Sequence, residues 1–253
     1  MPQLSVVIIT FNEEKNIGRC LESIQGIADD VVILDSFSTD ATESISKKYN
    51  VNFISRKWEG YSGSKNFANS QAKYDWILSL DADEALSEEL KKSILKAKEG
   101  TELKTYKFHR LTNYCGSWIK HCGWYPDTKI RIFDRRITKW EGIIHEKLVI
   151  DSKQGAILLN GDCLHYSYYT IEQHLLQVDK FSTLAAQNLF EKGKKASVLQ
   201  LWLSPIVKFI SDYFFKLGIL DGAAGFTICK ISAKHSYLKY KKLRDLNKQS
   251  NAR

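Results

Sequence analysis

Apolar runs and polar breaks alternate along the first hundred residues in a strand–helix rhythm. Leu4–Ile9 is a short run rich in β-branched residues, the pattern of a strand buried on both faces. Thr10-Phe11-Asn12-Glu13-Glu14 follows, with Asn12 placed to cap a helix and two acids suited to its first turn. Ile17, Cys20, Leu21 and Ile24 then recur at helical spacing. Val31–Leu34 predicts a second strand, Ser38-Thr39-Asp40 the cap of a helix near 41–49, and Val51–Ile54 a third strand. Further elements are expected as a helix over 64–72, a buried strand over Trp76–Leu80, and a helix from the cap Ser87 to about Lys98. Alternation of this kind implies an α/β fold with a mostly parallel sheet and right-handed crossovers. Ligands of such sheets sit beyond the carboxyl ends of the strands, here Thr10-Phe11, Asp35-Ser36 and Ser55-Arg56.

The pattern changes at Lys104. From there to His165 it reads as short strands and loops rich in aromatic and polar residues. A long helix is expected over 171–190, and a second apolar, aromatic segment runs from Val198 to Leu217. This suggests a Rossmann-like domain over 1–168 and a helical region over 169–253.

Composition adds a charge asymmetry. The chain has 253 residues, is 43% hydrophobic and has only 3 Pro, which argues for a folded chain. Its net charge is +8, yet residues 230–253 alone hold eight basic side chains against one acid, Asp245, leaving the body near neutral. A basic tail on a near-neutral body disfavours a nucleic-acid binder and favours local attraction to phosphates such as anionic lipid heads, although a merely solvated tail has the same composition. The five cysteines form no CxxC pair, so neither a disulfide framework nor a zinc site is expected, and a reducing compartment follows. The chain opens almost at once on a strand pattern, which predicts no secretory signal.

The sharpest chemical signal is Asp81-Ala82-Asp83 at the end of a buried strand. Carboxylates beside an apolar sheet stay ionised only when a cation or hydrogen-bond donors compensate them. A divalent Mg2+ or Mn2+ bridging a diphosphate would do so, and an acidic turn ahead of Ser87 is the structural alternative. Phe11 lies where a planar base could stack or where a core residue would pack, and Asp35 where a base or ribose could be hydrogen-bonded. No GxGxxG or GxxxxGK[ST] is present, which disfavours the common dinucleotide and P-loop sites. His145-Glu146 is not part of an HExxH zinc motif, because position 149 is Val.

SVVIITFNEEKNIGRCLESI, VVILDSFSTDAT, GSKNFA and WILSLDADE, in that order and strand context, resemble the family 2 glycosyltransferases of the GT-A fold. KIRIFDRR, WEGIIHEKL, LHYSY and GILDGAAGF resemble a narrower group, the lipopolysaccharide inner-core β-1,4-glucosyltransferases, so that the likeness covers most of the chain. The resemblance implies an inverting, metal-dependent transfer of a sugar, glucose in the narrower group, from a UDP-sugar to a lipopolysaccharide or lipooligosaccharide core acceptor. Thr10, Phe11, Asn12 and Glu14 take the nucleotide-binding strand end. Asp35 takes the first place of a usual Asp-Asp pair, and Ser36 replaces the second acid. Lys65 stands where an Arg often faces the nucleotide. Asp81 and Ala82 would face the ribose and donor sugar, and Asp83 would bind the metal. His165 would be a further metal or diphosphate ligand, a satisfied structural histidine beside tyrosines being the alternative, and Arg131 would neutralise the diphosphate. The family's Glu-Asp pair is absent after residue 100, so Glu146 stands in as the catalytic base, with Asp81 assisting. Because aromatic faces stack on sugar rings, Trp124, Tyr125 and Asp127, with His145, would line the acceptor or sugar site; a loop anchored by aromatics is the equal alternative.

Lys208, Asp212, Lys216 and Pro205 make the 198–217 segment a poor membrane span. A helix lying in the interface fits better, with Trp202, Phe209, Tyr213, Phe214 and Phe215 dipping into lipid; a core or homodimer helix is the alternative. These features predict a cytoplasmic protein, peripheral on the inner face of a bacterial inner membrane. Two other classes are weighed and disfavoured. A nucleotidyltransferase needs a Gly-rich, Arg-containing loop where FNEEKN stands, and a non-catalytic docking domain would have no reason to keep both acids of Asp81-Ala82-Asp83.

Overall fold

The structure is a computed structural model and describes residues 2–142, 147–150 and 155–251. The chain forms two compact units. One comprises residues 1–110 and 127–166, and the other residues 111–126 and 167–253. Residues 111–126, within the expected 1–168 domain, thus group with the C-terminal helices.

The first unit opens with β1 (Leu4–Thr10), α1 (Ile17–Ser23), β2 (Asp30–Asp35), α2 (Thr42–Ser46), β3 (Asn52–Ser55), α3 (Gly60–Ser70) and β4 (Trp76–Asp81). The strands stand in the order β3-β2-β1-β4 and all pair in parallel, as the β-branched runs require. Every residue of β1 is buried. Register places Thr10 opposite Asp35 and Ile9 opposite Asp81, so three neighbouring strands end together at one edge.

After β4 come β5 (Glu84–Leu86), α4 (Glu88–Lys98), β6 (Tyr106–Tyr114), β7 (Ser117–Ile119), β8 (Asp127–Asp134), β9 (Thr138–Glu141), β10 (Lys147–Ile150) and β11 (Ile157–Tyr168). β8 joins β4 antiparallel and extends the sheet through β6, β11 and β5, while β9 and β10 pair separately. The expected parallel sheet is therefore continued by antiparallel strands. The segment over 104–165, read as short strands and loops, holds two longer strands, β6 and β11. Ser87 caps α4 as expected, its side chain accepting from Leu90 N. Asn12 is no cap. Helix α1 starts only at Ile17, and Asn12, at φ 53°, instead accepts from Thr39 N through Oδ1 at 2.8 Å. Its short polar side chain tolerates the left-handed region and ties the β1 loop to the β2 loop.

The second unit is mainly helical: α5 (Ile171–Glu191), α6 (Val198–Ile210), a π-helical turn (Ser211–Phe215), a 3-10 turn (Gly218–Asp221) and α7 (Gly222–Asn251). The basic segment beyond residue 230, read as a tail, is folded into the 30-residue α7. Good helix formers, with Lys and Leu prominent, carry that helix, and α5 and α6 pack against it. No described helix is long and apolar enough to cross a membrane. Phe209 and Tyr213, expected to enter lipid, instead meet the Phe226 ring of α7 at 5.8 Å each.

Candidate active site

Three loops meet at the carboxyl edge of β1, β2 and β4. The β1 loop is braced by the β2 loop: Asn12 N donates to Ser38 Oγ, Glu13 N to Thr42 Oγ1, and Glu14 N to Asp40 Oδ2. Glu14 Oε2 accepts from Ala41 N at 3.1 Å, so this acid clamps a loop. Asp35 is buried, and its two carboxylate oxygens accept from Ser38 N at 2.8 Å and Ser38 Oγ at 2.5 Å. The carboxylate thereby shapes the turn that Ser36 opens. Phe11 is 56% exposed and is no core residue. Beside it, Thr10 Oγ1 is buried with no hydrogen-bond partner among the described residues, an acceptor and donor without its complement.

Asp81 closes β4 and is gripped from two sides. Lys65 Nζ, on α3, lies 3.0 Å from Oδ1, and Arg131 Nη2, on β8, lies 2.9 Å from Oδ2. Both cationic side chains are almost wholly buried. Burial alone would push the Asp81 carboxyl up, but Lys65 and Arg131 hold it far below the usual carboxylate range. Arg131 also reaches Glu84 Oε1 at 2.7 Å, so its charge is committed to protein acids. Burial works against the Arg131 charge, yet Glu84 and Asp81 together raise its proton affinity above the ordinary guanidinium value. Glu84 is fully buried, and its other oxygen accepts from Asp81 N at 2.9 Å. Arg110 adds a second cation 3.4 Å from Glu84, and Asp127 pairs with Arg110 at 2.8 Å and Lys129 at 2.9 Å. Asp127 therefore belongs to this charge network.

Asp83 is held differently. Its side chain is partly open, and its Oδ2 lies 3.1 Å from Nε2 of His165 on β11. Ala82, buried between the two acids, keeps the turn tight, and Asp83 O accepts from Tyr166 N at 2.9 Å. Glu13 is close enough to feel the Asp83 carboxylate. Burial raises its carboxyl above the usual range, a hydrogen bond from Asn16 opposes this, and Asp83 raises it further. Among the described residues no group of three or more His, Cys, Asp or Glu converges as a closed metal cage.

The second unit holds Trp124, whose ring lies 5.9 Å from Tyr114, 6.1 Å from Tyr168 and 5.8 Å from His174. With Tyr168, His174, Gln177, Lys208 and His235 it lines a cavity of about 310 Å3. Tyr125 precedes Pro126 and is half-buried. His145 and Glu146 lie outside the described residues. Sequence reasoning gathered Thr10, Asp35, Lys65, Asp81, Asp83, Arg131 and His165, and the structure puts all of them at one end of the first unit. It missed Glu84, Glu13 and Arg110. Glu84 stood next to the acidic pair, and a third acid entering a buried strand was the available signal. Glu13 and Arg110 gave none.

A neutralised acid, a carboxylate–imidazole pair and an exposed aromatic thus gather beyond the carboxyl edge of the parallel strands, where α/β sheets meet their ligands. The chain belongs to the Glycosyl transferase family 2, whose pattern matches residues 5–143, and is a glycosyltransferase. It is 33% identical to an uncharacterized glycosyltransferase of Rickettsia typhi, over 99% of this chain and 89% of the relative. It is 29% identical to the lipopolysaccharide core biosynthesis glycosyltransferase LpsC of Rhizobium meliloti, over 93% and 89%. Among solved structures it is similar to glucosyl-3-phosphoglycerate synthase from Mycobacterium tuberculosis in complex with Mn2+, UDP and glucosyl-3-phosphoglycerate, at TM-score 0.41 and 17% identity, covering 54% of this chain and 58% of that one. Family membership removes the nucleotidyltransferase and docking-domain readings.

Proposed function

We propose that this glycosyltransferase moves glucose from UDP-glucose, with inversion, onto a lipopolysaccharide or lipooligosaccharide core glycolipid, using Mg2+ or Mn2+. The observation that carries the reading is the division of labour between the two acids. Both acids are about a quarter exposed, but Asp81 is already balanced by Lys65 and Arg131, whereas Asp83 is paired with the His165 imidazole. A carboxylate oxygen and an imidazole nitrogen suit a divalent ion that takes its remaining ligands from a diphosphate and water. When bound, that ion supplies positive charge against the leaving diphosphate. Asp83 and His165 would hold it.

The remaining steps belong to the chain's own groups. Phe11 stacks on the base, next to Thr10 at the end of β1, with Asn12, Glu14 and Asp35 fixing the loops around it. Asp81, immobilised by Lys65 and Arg131, faces the ribose and donor sugar. Glu146 takes the proton from the acceptor hydroxyl as that oxygen attacks the anomeric carbon opposite the diphosphate. Trp124 and Tyr125 offer aromatic faces of the kind on which acceptor sugar rings stack. The likeness to LpsC supports the core acceptor. Such an acceptor is built on a lipid anchor, which argues for an enzyme peripheral at the cytoplasmic face of a bacterial inner membrane.

Titration calorimetry of UDP with and without Mn2+ tests the donor half. The parent chain should bind UDP only with metal, and Asp83→Ala should weaken this at least about tenfold. Glu146→Gln should bind as the parent does but transfer about a hundredfold more slowly, in line with the loss of a general base. Unchanged affinity in Asp83→Ala removes that residue from the site, and near-normal turnover in Glu146→Gln puts the base elsewhere.

A further inference from the structure

Helix α6 buries none of its residues. Leu199, Trp202, Leu203, Ile206, Val207 and Ile210 recur every three or four positions, all exposed and all apolar. The row continues through the π-helical turn with Phe214 and Phe215, the latter 82% exposed. The chain then reverses at Leu217, at φ 56°, and presents Ile219 and Leu220, also exposed. A contiguous apolar stripe of this length is rare on a free protein surface and marks a surface that meets a partner.

Polar groups within the segment are arranged so that the stripe stays uninterrupted. Asp212 is buried and clamped by Lys208 and Lys216 at 2.9 Å each. The opposite side of α6 packs on α7: Ser204 meets Ser236, and Phe209 meets Phe226. From Phe226 onward the exposed positions of α7 are dominated by Lys230, Lys234, Lys241 and Lys248, with Asp245 as the acid among them. The helix on which α6 packs thus exposes an excess of positive charge.

We propose that residues 198–220 dock into one leaflet of an anionic bilayer. The stripe enters the acyl boundary, and the α7 lysines face lipid phosphates. Charge decides the occupant. A second copy of this chain would bring the same excess of lysine to the contact, whereas a phospholipid surface brings the opposite sign. A helix in the plane of the interface needs an apolar face but not a spanning length, and α6 has only the first. The docking rests on the glycolipid reading for which membrane is met, the one that carries the acceptor.

Vesicle co-sedimentation with the full chain tests this. Vesicles of phosphatidylcholine with 3 parts in about 10 of phosphatidylglycerol should retain the protein, and pure phosphatidylcholine should retain about tenfold less, following the loss of lysine–phosphate attraction. Phe215→Asp with Leu220→Asp should lower retention on anionic vesicles at least about tenfold. Leu203→Asn with Val207→Asn provides an independent variant should the first pair fold poorly. UDP binding in Mn2+ should be unchanged in all of them. Failure to sediment with either vesicle overturns the proposal, as does a lipid-free dimer in light scattering that the same substitutions dissolve. Loss of metal-dependent UDP binding in the parent with vesicle binding intact would instead strike the donor reading alone.

Discussion

At the scale of single residues, the contrast between Asp81 and Asp83 was legible only in part. Two acids at a strand end announced compensation by a cation, but not that protein cations serve the first and an imidazole the second. That distinction needs α3 and β8 to deliver Lys65 and Arg131 from 16 positions before and 50 after Asp81 in the chain, which no local pattern records. Glu84 is the residue this arrangement leans on. It is fully buried, receives Asp81 N–H, and shares Arg131 with Asp81. Neutralising it leaves Arg131 with half its counter-charge in an apolar setting, and removing one partner of a buried pair costs about 3 kcal/mol or more. Glu84→Gln should therefore lower the unfolding free energy by about that amount in denaturant titration. A role in positioning adds a second readout. Glu84→Met with Arg131→Met should regain part of the stability, since a matched apolar pair needs no counter-charge, but not the Mn2+-dependent affinity for UDP, because Asp81 then keeps Lys65 alone. Full recovery of both would reduce Glu84 to a structural residue.

At the scale of elements, strands with β-branched runs and helices with a cap declared themselves, because their signals are local. β1, β2, β4, α4 and α5 fall within a residue or two of expectation. The α5 boundary is set by a reciprocal cap, Thr170 accepting from Gln173 N while the Gln173 side chain returns to the Thr170 N–H. What escaped was β6, β11 and α7. The two strands mix polar and apolar residues because their surroundings vary along their length, and α7 hides its apolar positions among lysines. Close approach also sets where elements sit. Gly161, in β11 at φ 91°, lies so near the start of α4 that a Cβ there would come 2.3 Å from Leu90 N. A side chain would face both a left-handed backbone penalty of about 1 kcal/mol and a clash with backbone that cannot rotate away. Gly161→Ala should lower the melting temperature by about 10 °C or more, given the clash in addition to the backbone term. A shift of only a degree or two would mean that β11 and α4 move apart freely. Gly225 is under the same constraint at the start of α7, where a Cβ would meet Gly218 O at 2.0 Å. Within GILDGAAGF, close packing thus accounts for Gly218 and Gly225, whereas Gly222 is accounted for by its φ of 59°.

At the scale of the whole molecule, two compact units allow two unfolding transitions, and acid should separate them. The second unit buries His174, whose Nδ1 lies 3.1 Å from the Tyr114 hydroxyl within the Trp124–Tyr168 ring cluster. Burial, with His235 nearby, pushes its proton affinity down from the ordinary 6.5 to about 4. His235 is lowered as well, first by burial and then by Lys239. Between those two pH values the unfolded chain binds a proton that the folded chain refuses. Stability contributed by the neutral imidazole is thus complete above pH 6.5, falls as pH drops toward about 4, and levels off below it. The shift bounds the effect at about 3 kcal/mol, before solvent access through the adjoining cavity reduces it. In the first unit the lowered Asp81 carboxyl begins to lose its contribution only as pH falls below its ordinary 3.8, beneath the window in which His174 acts, because Lys65 and Arg131 keep it ionised in the fold. Calorimetric scans from pH 7 to pH 4 should show one transition moving down before the other, and His174→Gln should flatten the movement of the first while leaving the second in place. If the two transitions shift in parallel in the parent chain, or if His174→Gln retains the full acid sensitivity, the imidazole is not what ties the helical unit's stability to pH.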